Sequence, residues 1–190
     1  MESWNRRVKI KLTKNRSGLI PITTCSPHNF ALAKSYGAAA VFDYASPTCG
    51  SDIRAYTKNA LFYALDCITD EQSVEMCYAA IGRAGGRYAS FEYCPPHLQT
   101  RQAVTSDFVF GYEMFGKPVA LGGAYEREAK PELRDAAVRW FGVMHPLWEK
   151  GEVRAHPVRS LPGSWEGILN GLDILRKGGV SGHKLVVRVD

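Results

Sequence analysis

Ser26, Pro27, His28 and Asn29 put a hydroxyl, an imidazole and a carboxamide into one short turn, with no carboxylate among them. The turn follows the β-branched run 19–25 (LIPITTC) and precedes a short helical stretch, 29–36, that Gly37 ends. A strand, a polar turn and a helix in that order place the turn's donors at a helix N-terminus. Hydroxyl, imidazole and amide donors in such a place suit a phosphate group. The same spacing also fits a plain helix cap, with Asn29 or Ser26 as the capping residue.

The next apolar stretch, 41–44 (VFDY), reads as another strand. Residues 22–44 therefore have the pattern of the second βαβ step of a dinucleotide-binding fold. In that fold the turn after this strand selects the adenosine ribose. An acid there hydrogen-bonds a free 2′-hydroxyl and repels a 2′-phosphate. The acid-free turn from Cys25 to Asn29 suits an added phosphate.

The elements that position this turn repeat the alternation. Residues 51–56 read as a short helix and 61–67 as a strand with Asp66 near its C-terminal end. Residues 71–81 read as a helix with Val74, Cys77, Tyr78 and Ile81 on one face, and 87–91 as a strand. Strands alternating with helices predict a parallel sheet with right-handed crossovers. Gly82, Gly85 and Gly86 follow a helix and precede a strand, the reverse of a phosphate cradle, and read as a turn.

Beyond Phe91 the texture changes. Residues 92–125 carry Pro95, Pro96, Pro118 and the aromatic-rich stretch 108–116, and no strand is placed there. Pro131 opens a long helix to about residue 150, with Trp140, Phe141, Leu147 and Trp148 on its apolar face and a kink expected at Pro146. Residues 153–159 read as a strand. A helix from Ser164 is expected to turn Ile168, Leu172 and Leu175 inward, and 183–189 reads as the last strand.

The chain has 190 residues, enough to bury a real core in one domain or little more. The net charge of +5 is local. Residues 1–18 hold six bases against one acid, and the other residues balance at 18 of each. A neutral body argues against a nucleic-acid partner, leaving a basic-tailed binding module as a weak alternative. No apolar run is long enough to span a bilayer, and Arg6, Arg7, Lys9 and Lys11 interrupt any secretory core. The five cysteines form no CxxC pair, so they supply neither a zinc framework nor a disulfide one, and no metal site is expected. This usage fits a reducing compartment, and a cytoplasmic location is expected.

Four separated stretches carry a family resemblance: SPHNFALAKSYGAAAVFDY, YALDCITDEQS, AAIGRAGGRYAS and RKGGVSGHKLVVRV. From Ser17 to the end the chain resembles the trans-acting enoyl reductases of fungal polyketide synthesis, typified by the lovastatin-pathway enzyme. These are zinc-independent members of the medium-chain dehydrogenase/reductase superfamily. The resemblance implies an NADPH-dependent oxidoreductase that serves a highly reducing polyketide synthase, or a synthase–peptide synthetase hybrid. Hydride would reach the β-carbon of an α,β-unsaturated thioester held on the synthase's acyl carrier protein, with a donor near the thioester oxygen.

Carried over position by position, Ser26, Pro27, His28 and Asn29 match the family's contact with the adenosine 2′-phosphate. Tyr44 matches a position near the adenine, and Phe91 and Glu92 match positions by the nicotinamide half. Tyr112, Glu113, Met114, Phe115 and Gly116 match the loop lining the acyl pocket. Ser181 and Gly182 match a cofactor-contacting pair. From the residues alone, Tyr44 and Phe91 also fit core aromatics, and Ser181-Gly182 also fits a plain turn. No catalytic residue is assigned.

The family begins with a barrel-like catalytic domain and a first Rossmann strand with its glycine-rich turn, and residues 1–16 resemble neither. The expected fold is therefore α/β. It comprises an incomplete Rossmann-type parallel sheet with helices on both faces, and the C-terminal helix and strand of a GroES-like catalytic domain. The expected divisions are a basic leader at 1–16, a partial dinucleotide-binding domain at 17–130 and a C-terminal segment at 131–190. Residues 8–12 alternate like an edge strand. Truncation would leave unpaired strand edges and uncovered apolar helix faces. It also raises an alternative function, a non-catalytic truncated paralogue or fragment acting as a docking protein.

Overall fold

The computed structural model describes residues 18–189; the basic leader and the alternating stretch 8–12 lie outside the described residues. In chain order the elements are β1 (Ile22–Thr24), α1 (Phe30–Ser35), β2 (Ala40–Phe42), α2 (Cys49–Tyr56), β3 (Tyr63–Asp66), α3 (Glu71–Ala80), β4 (Gly86–Ser90), β5 (Val104–Phe108), α4 (Pro131–Glu149), β6 (Val158–Leu161), α5 (Ser164–Arg176) and β7 (Lys184–Val187). The sheets are β1-β2, β3-β4-β5 and β6-β7, and every strand pair in them is parallel. The chain divides into two compact units. One takes the described residues up to Phe42 with those from Gly151 on, and the other runs from Asp43 to Lys150.

The second unit has its core around α3. Val74, Tyr78 and Ile81 are buried with Tyr88, Cys94 and Val104, and Cys77 packs against them, as the helical spacing predicts. Asp70 caps α3 in a reciprocal box: Ser73 N donates to its Oδ1 at 2.8 Å, and its own N donates to Ser73 Oγ at 3.0 Å. At the other end, the Arg101 guanidinium donates to the carbonyls of Tyr78 and Ile81 at 2.8 Å and of Gly82 at 2.6 Å. Arg54 reaches the Tyr78 and Ile81 carbonyls too. Each end of the helix thus has part of its spare backbone groups satisfied.

A buried carboxylate holds the turn after β3. Asp66 Oδ1 accepts from the N–H groups of Ile68 and Thr69 at 2.9 and 3.0 Å, and Oδ2 accepts from Ser73 Oγ and Tyr88 OH at 2.8 and 3.0 Å. Thr69 has φ +63°, a left-handed conformation costly for a β-branched residue, and its N–H bond to Asp66 helps to hold it. The glycine cluster is a turn that passes backbone against backbone. A Cβ at Gly85, where φ is +93°, would lie 2.0 Å from the Ala103 carbonyl oxygen, so the turn leaves no phosphate cradle.

Several expectations need correction. Neither Ser26 nor Asn29 makes a side-chain cap bond; a 3-10 turn, Pro27–Asn29, leads into α1 instead. Residues 104–108 form a strand, β5, where none was placed, because VTSDF is apolar only at its two ends and carries no alternation to read. The strand expected at 153–159 lies at Val158–Leu161. Leu172 and Leu175 do not point inward; each is 45% exposed. The packed side of α5 is glycine. A Cβ at Gly167 would lie 2.3 Å from the Pro162 carbonyl oxygen, and one at Gly171 would lie 3.2 Å from Leu161 Cδ1. Glycines at i and i+4 let the helix backbone come that close, which turns the leucines outward.

Apolar surface remains uncovered. Trp140, Phe141 and Trp148 of α4 are exposed, as are Tyr63 and Leu65 of the edge strand β3. No helix among the described residues is long and apolar enough to cross a membrane.

Burial and then the Asp66 carboxylate push the Tyr88 hydroxyl well above its ordinary value. Burial, then Asp52 and Asp43, push the Cys49 thiol up to about 11. Both shifts favour the protonated form in the folded state. Above about pH 9 to 10 the unfolded chain therefore loses these protons first, the folded chain binds more protons, and stability falls as pH rises. The expected result is a urea midpoint that declines above about pH 9, as the unfolding free energy falls by up to ~1.4 kcal/mol per pH unit for each group. Tyr88→Phe should shallow the decline above about pH 10. A midpoint flat through this range would contradict the assignment.

Candidate functional site

In the first unit the chain brings together two segments 152 residues apart. Asn29 Nδ2 donates to Ser181 Oγ at 2.8 Å. His28 Nε2 lies 2.7 Å from the same hydroxyl and 3.2 Å from Asn29 Nδ2. Imidazole, amide and hydroxyl close a small triangle at the surface. None of the three makes an ion pair among the described residues.

Local chemistry explains why they meet. Pro27 sets the first φ of the 3-10 turn, which carries His28 and Asn29 out of β1. Gly182 has φ +68°, and a Cβ there would stand 2.6 Å from Asn29 Oδ1; a side chain at 182 would push the two segments apart. The same two stretches of the first unit are tied elsewhere as well. Tyr36 OH donates to the Ala155 carbonyl at 2.7 Å, and the Arg154 guanidinium stacks 5.0 Å from the Tyr36 ring centre while donating to the Ser35 carbonyl. Lys184 N donates to the Pro157 carbonyl at 2.7 Å, which starts the β6-β7 pairing that ends the approach of Ser181.

The other candidate residues lie in the second unit. Tyr44 is half-buried in the turn after β2. Phe91 and Glu92 stand just past the C-terminal end of β4, and Phe91 is 52% exposed. Glu92 Oε1 accepts from Tyr93 N at 2.8 Å and from the Tyr125 hydroxyl. Tyr125 joins a ring cluster with Phe108 and Phe110, and the Arg127 guanidinium sits 5.2 and 5.4 Å over those two rings.

The 112–116 loop is a 3-10 turn, Gly111–Phe115, packed on α4. Its members separate by role. Tyr112 and Phe115 line a cavity of about 700 Å³, together with residues 117–121 and Arg134. Met114 is exposed. Glu113 instead braces the loop, accepting from Lys130 Nζ at 2.8 Å and lying 3.6 Å from Arg127 Nε. Gly116 closes the turn at φ +69°. A mostly apolar cavity of this volume is in the range that holds small acyl ligands.

Sequence comparison supplies the lineage. Trans-enoyl reductase FSL5 of Gibberella zeae is 47% identical over 173 residues, 91% of this chain and 48% of that protein. Trans-enoyl reductase ccsC of Aspergillus clavatus is 48% identical over 172 residues, 90% of this chain and 47% of that protein. This chain is a homologue of the trans-enoyl reductases. It spans about half the length of the curated relatives it matches. No protein-family model matches it.

Solved structures show that this trans-enoyl reductase homologue shares its fold with about half of an enoyl reductase chain and of an alcohol dehydrogenase chain. The CurK enoyl reductase superposes with a TM-score of 0.67 at 14% identity, over 93% of this chain and 49% of that one. A putative zinc-dependent alcohol dehydrogenase from Rhizobium etli CFN 42 superposes with a TM-score of 0.70 at 19% identity, over 94% and 49%.

Sequence reasoning missed Lys117, residues 118–121 and Arg134 as cavity lining. Lys117 directly follows the recognised loop, so proximity alone was a usable signal. Arg134 carried none, since only packing of α4 on the loop brings it there. Tyr125, which holds Glu92, was equally silent in the sequence.

Proposed function

We propose that this chain belongs to an NADPH-dependent enoyl reductase that acts in trans on a highly reducing polyketide synthase or a synthase–peptide synthetase hybrid. Its substrate is an α,β-unsaturated acyl thioester on the synthase's acyl carrier protein, reduced in the cytoplasm. The observation that carries the cofactor reading is the His28, Asn29 and Ser181 triangle. Three solvent-facing polar groups that can donate hydrogen bonds, with no carboxylate among them, fit a ribose 2′-phosphate and do not repel it. Homology to trans-enoyl reductases supports the reaction class.

In this reading His28, Asn29 and Ser181, with Ser26 and Pro27 shaping the turn and Gly182 giving clearance, hold the adenosine phosphate. Tyr44 sides with the adenine. Phe91 and Glu92 stand at the strand edge where such sheets bind ligands, toward the nicotinamide. When bound, NADPH supplies the hydride for the β-carbon. The cavity that Tyr112 and Phe115 line takes the acyl chain.

Titration of NADPH fluorescence with the whole chain tests the cofactor step, and NADPH consumption with a crotonyl carrier protein tests the reduction. Saturable binding of NADPH in preference to NADH is expected. Absence of saturable binding would sink the cofactor reading. Binding without consumption would favour the docking alternative, which the exposed Trp140, Phe141 and Trp148 also suit.

A further inference from the structure

The cavity of the second unit has a charged side that the acyl reading does not use. Lys117 and Arg134 both line it, and neither makes a hydrogen bond or ion pair among the described residues. The carboxylate of the preceding loop is already engaged: Glu113 is shared between Lys130 and Arg127. Arg134 is exposed, with its Cβ against the loop. A Cβ at Gly116 would lie 2.9 Å from Arg134 Cβ, so the loop backbone packs on the stem of that side chain. Its head is left beside the cavity, with Lys117 on the same lining.

Two uncompensated cations beside a largely apolar cavity suit a ligand that is apolar at one end and anionic at the other. The planar guanidinium fork matches phosphate oxygens, and the ammonium adds a point charge. We infer that Lys117 and Arg134 clamp the phosphate of a phosphopantetheine arm whose acyl chain fills the cavity. The inference rests on the acyl-thioester reading given above. The same phosphate occurs in acyl-coenzyme A and on an acyl carrier protein, and the clamp reads the chemistry they share.

The test measures binding of four probes to the whole chain by calorimetry: octanoyl-pantetheine, which lacks the phosphate, octanoyl-phosphopantetheine, octanoyl-coenzyme A and an octanoyl carrier protein. The phosphate is expected to improve affinity about tenfold over octanoyl-pantetheine at low salt, and the gain should shrink as salt rises. The double variant Lys117→Gln, Arg134→Gln should lose that gain yet bind octanoyl-pantetheine as before. Arg139→Gln, which removes a cation elsewhere on α4, should keep it. Circular dichroism of each variant confirms folding. Equal affinity for the probes with and without phosphate overturns the clamp while leaving the acyl pocket standing. A gain confined to the carrier protein also overturns it, because the protein surface would then be the element recognised. Failure of every probe to bind overturns both the clamp and the acyl reading beneath it.

Discussion

Asp66→Ala is expected to destabilise the unit that holds it by about 4 kcal/mol, read as a urea midpoint about 2 M lower. Asp66 is 4% exposed and accepts four hydrogen bonds, two from backbone N–H groups and two from hydroxyls. Losing the carboxylate leaves buried donors without partners, at about 1–3 kcal/mol for each that water cannot reach. Ser73 has a second acceptor in the Asp70 carbonyl at 3.1 Å, which limits its share. The N–H of Thr69 has no such alternative, because positive φ holds it toward Asp66. Asp66→Asn keeps one acceptor oxygen, and its amide can donate to hydroxyls that turn round; its cost is expected near 1–2 kcal/mol. Tyr88→Phe removes a single donor and should fall in the same range. Alanine must therefore be clearly worse than both. Three equal midpoints would mean that the carboxylate does not organise the turn.

Ser181→Asp is expected to weaken NADPH binding roughly a hundredfold while NADH binding changes by less than about threefold. The new carboxylate would enter the triangle of His28 and Asn29 and face the 2′-phosphate, and like charges in a contact cost several kcal/mol. NADH has only a hydroxyl at that place, so the penalty is specific to the phosphate. Gly182→Ala tests the same geometry sterically. Its methyl must displace Asn29 Oδ1, 2.6 Å away, and should weaken NADPH binding without any change of charge. Fluorescence titration with each nucleotide reads both variants. Parallel losses for NADPH and NADH with Ser181→Asp would separate the triangle from phosphate selection.

These two sites differ in how far the residues announced them. The α3 stripe of Val74, Tyr78 and Ile81 was legible because helix periodicity is a local property that survives in the fold. The 26–29 turn was legible because an acid-free strand-to-helix junction is a local chemical statement. Asp66 was visible only as a polar residue at a strand end; its four partners include Tyr88, 22 residues away, which periodicity cannot pair with it. The helix α5 was misread for a physical reason. Its leucines are the obvious apolar stripe, yet glycines at 167 and 171 allow a closer approach than any leucine and took the buried face.

By itself the sequence determined the strand–helix alternation, the family resemblance and the chemical types in each candidate site, since these depend on neighbours within a few residues. Only the tertiary structure decided that Ser181 meets Asn29 and that Arg134 shares a cavity with Tyr112. It also decided that Glu113 lies against Lys130 and Arg127. Those outcomes depend on which distant backbones pack closely enough, and that is set by glycine clearances and strand pairing across the chain.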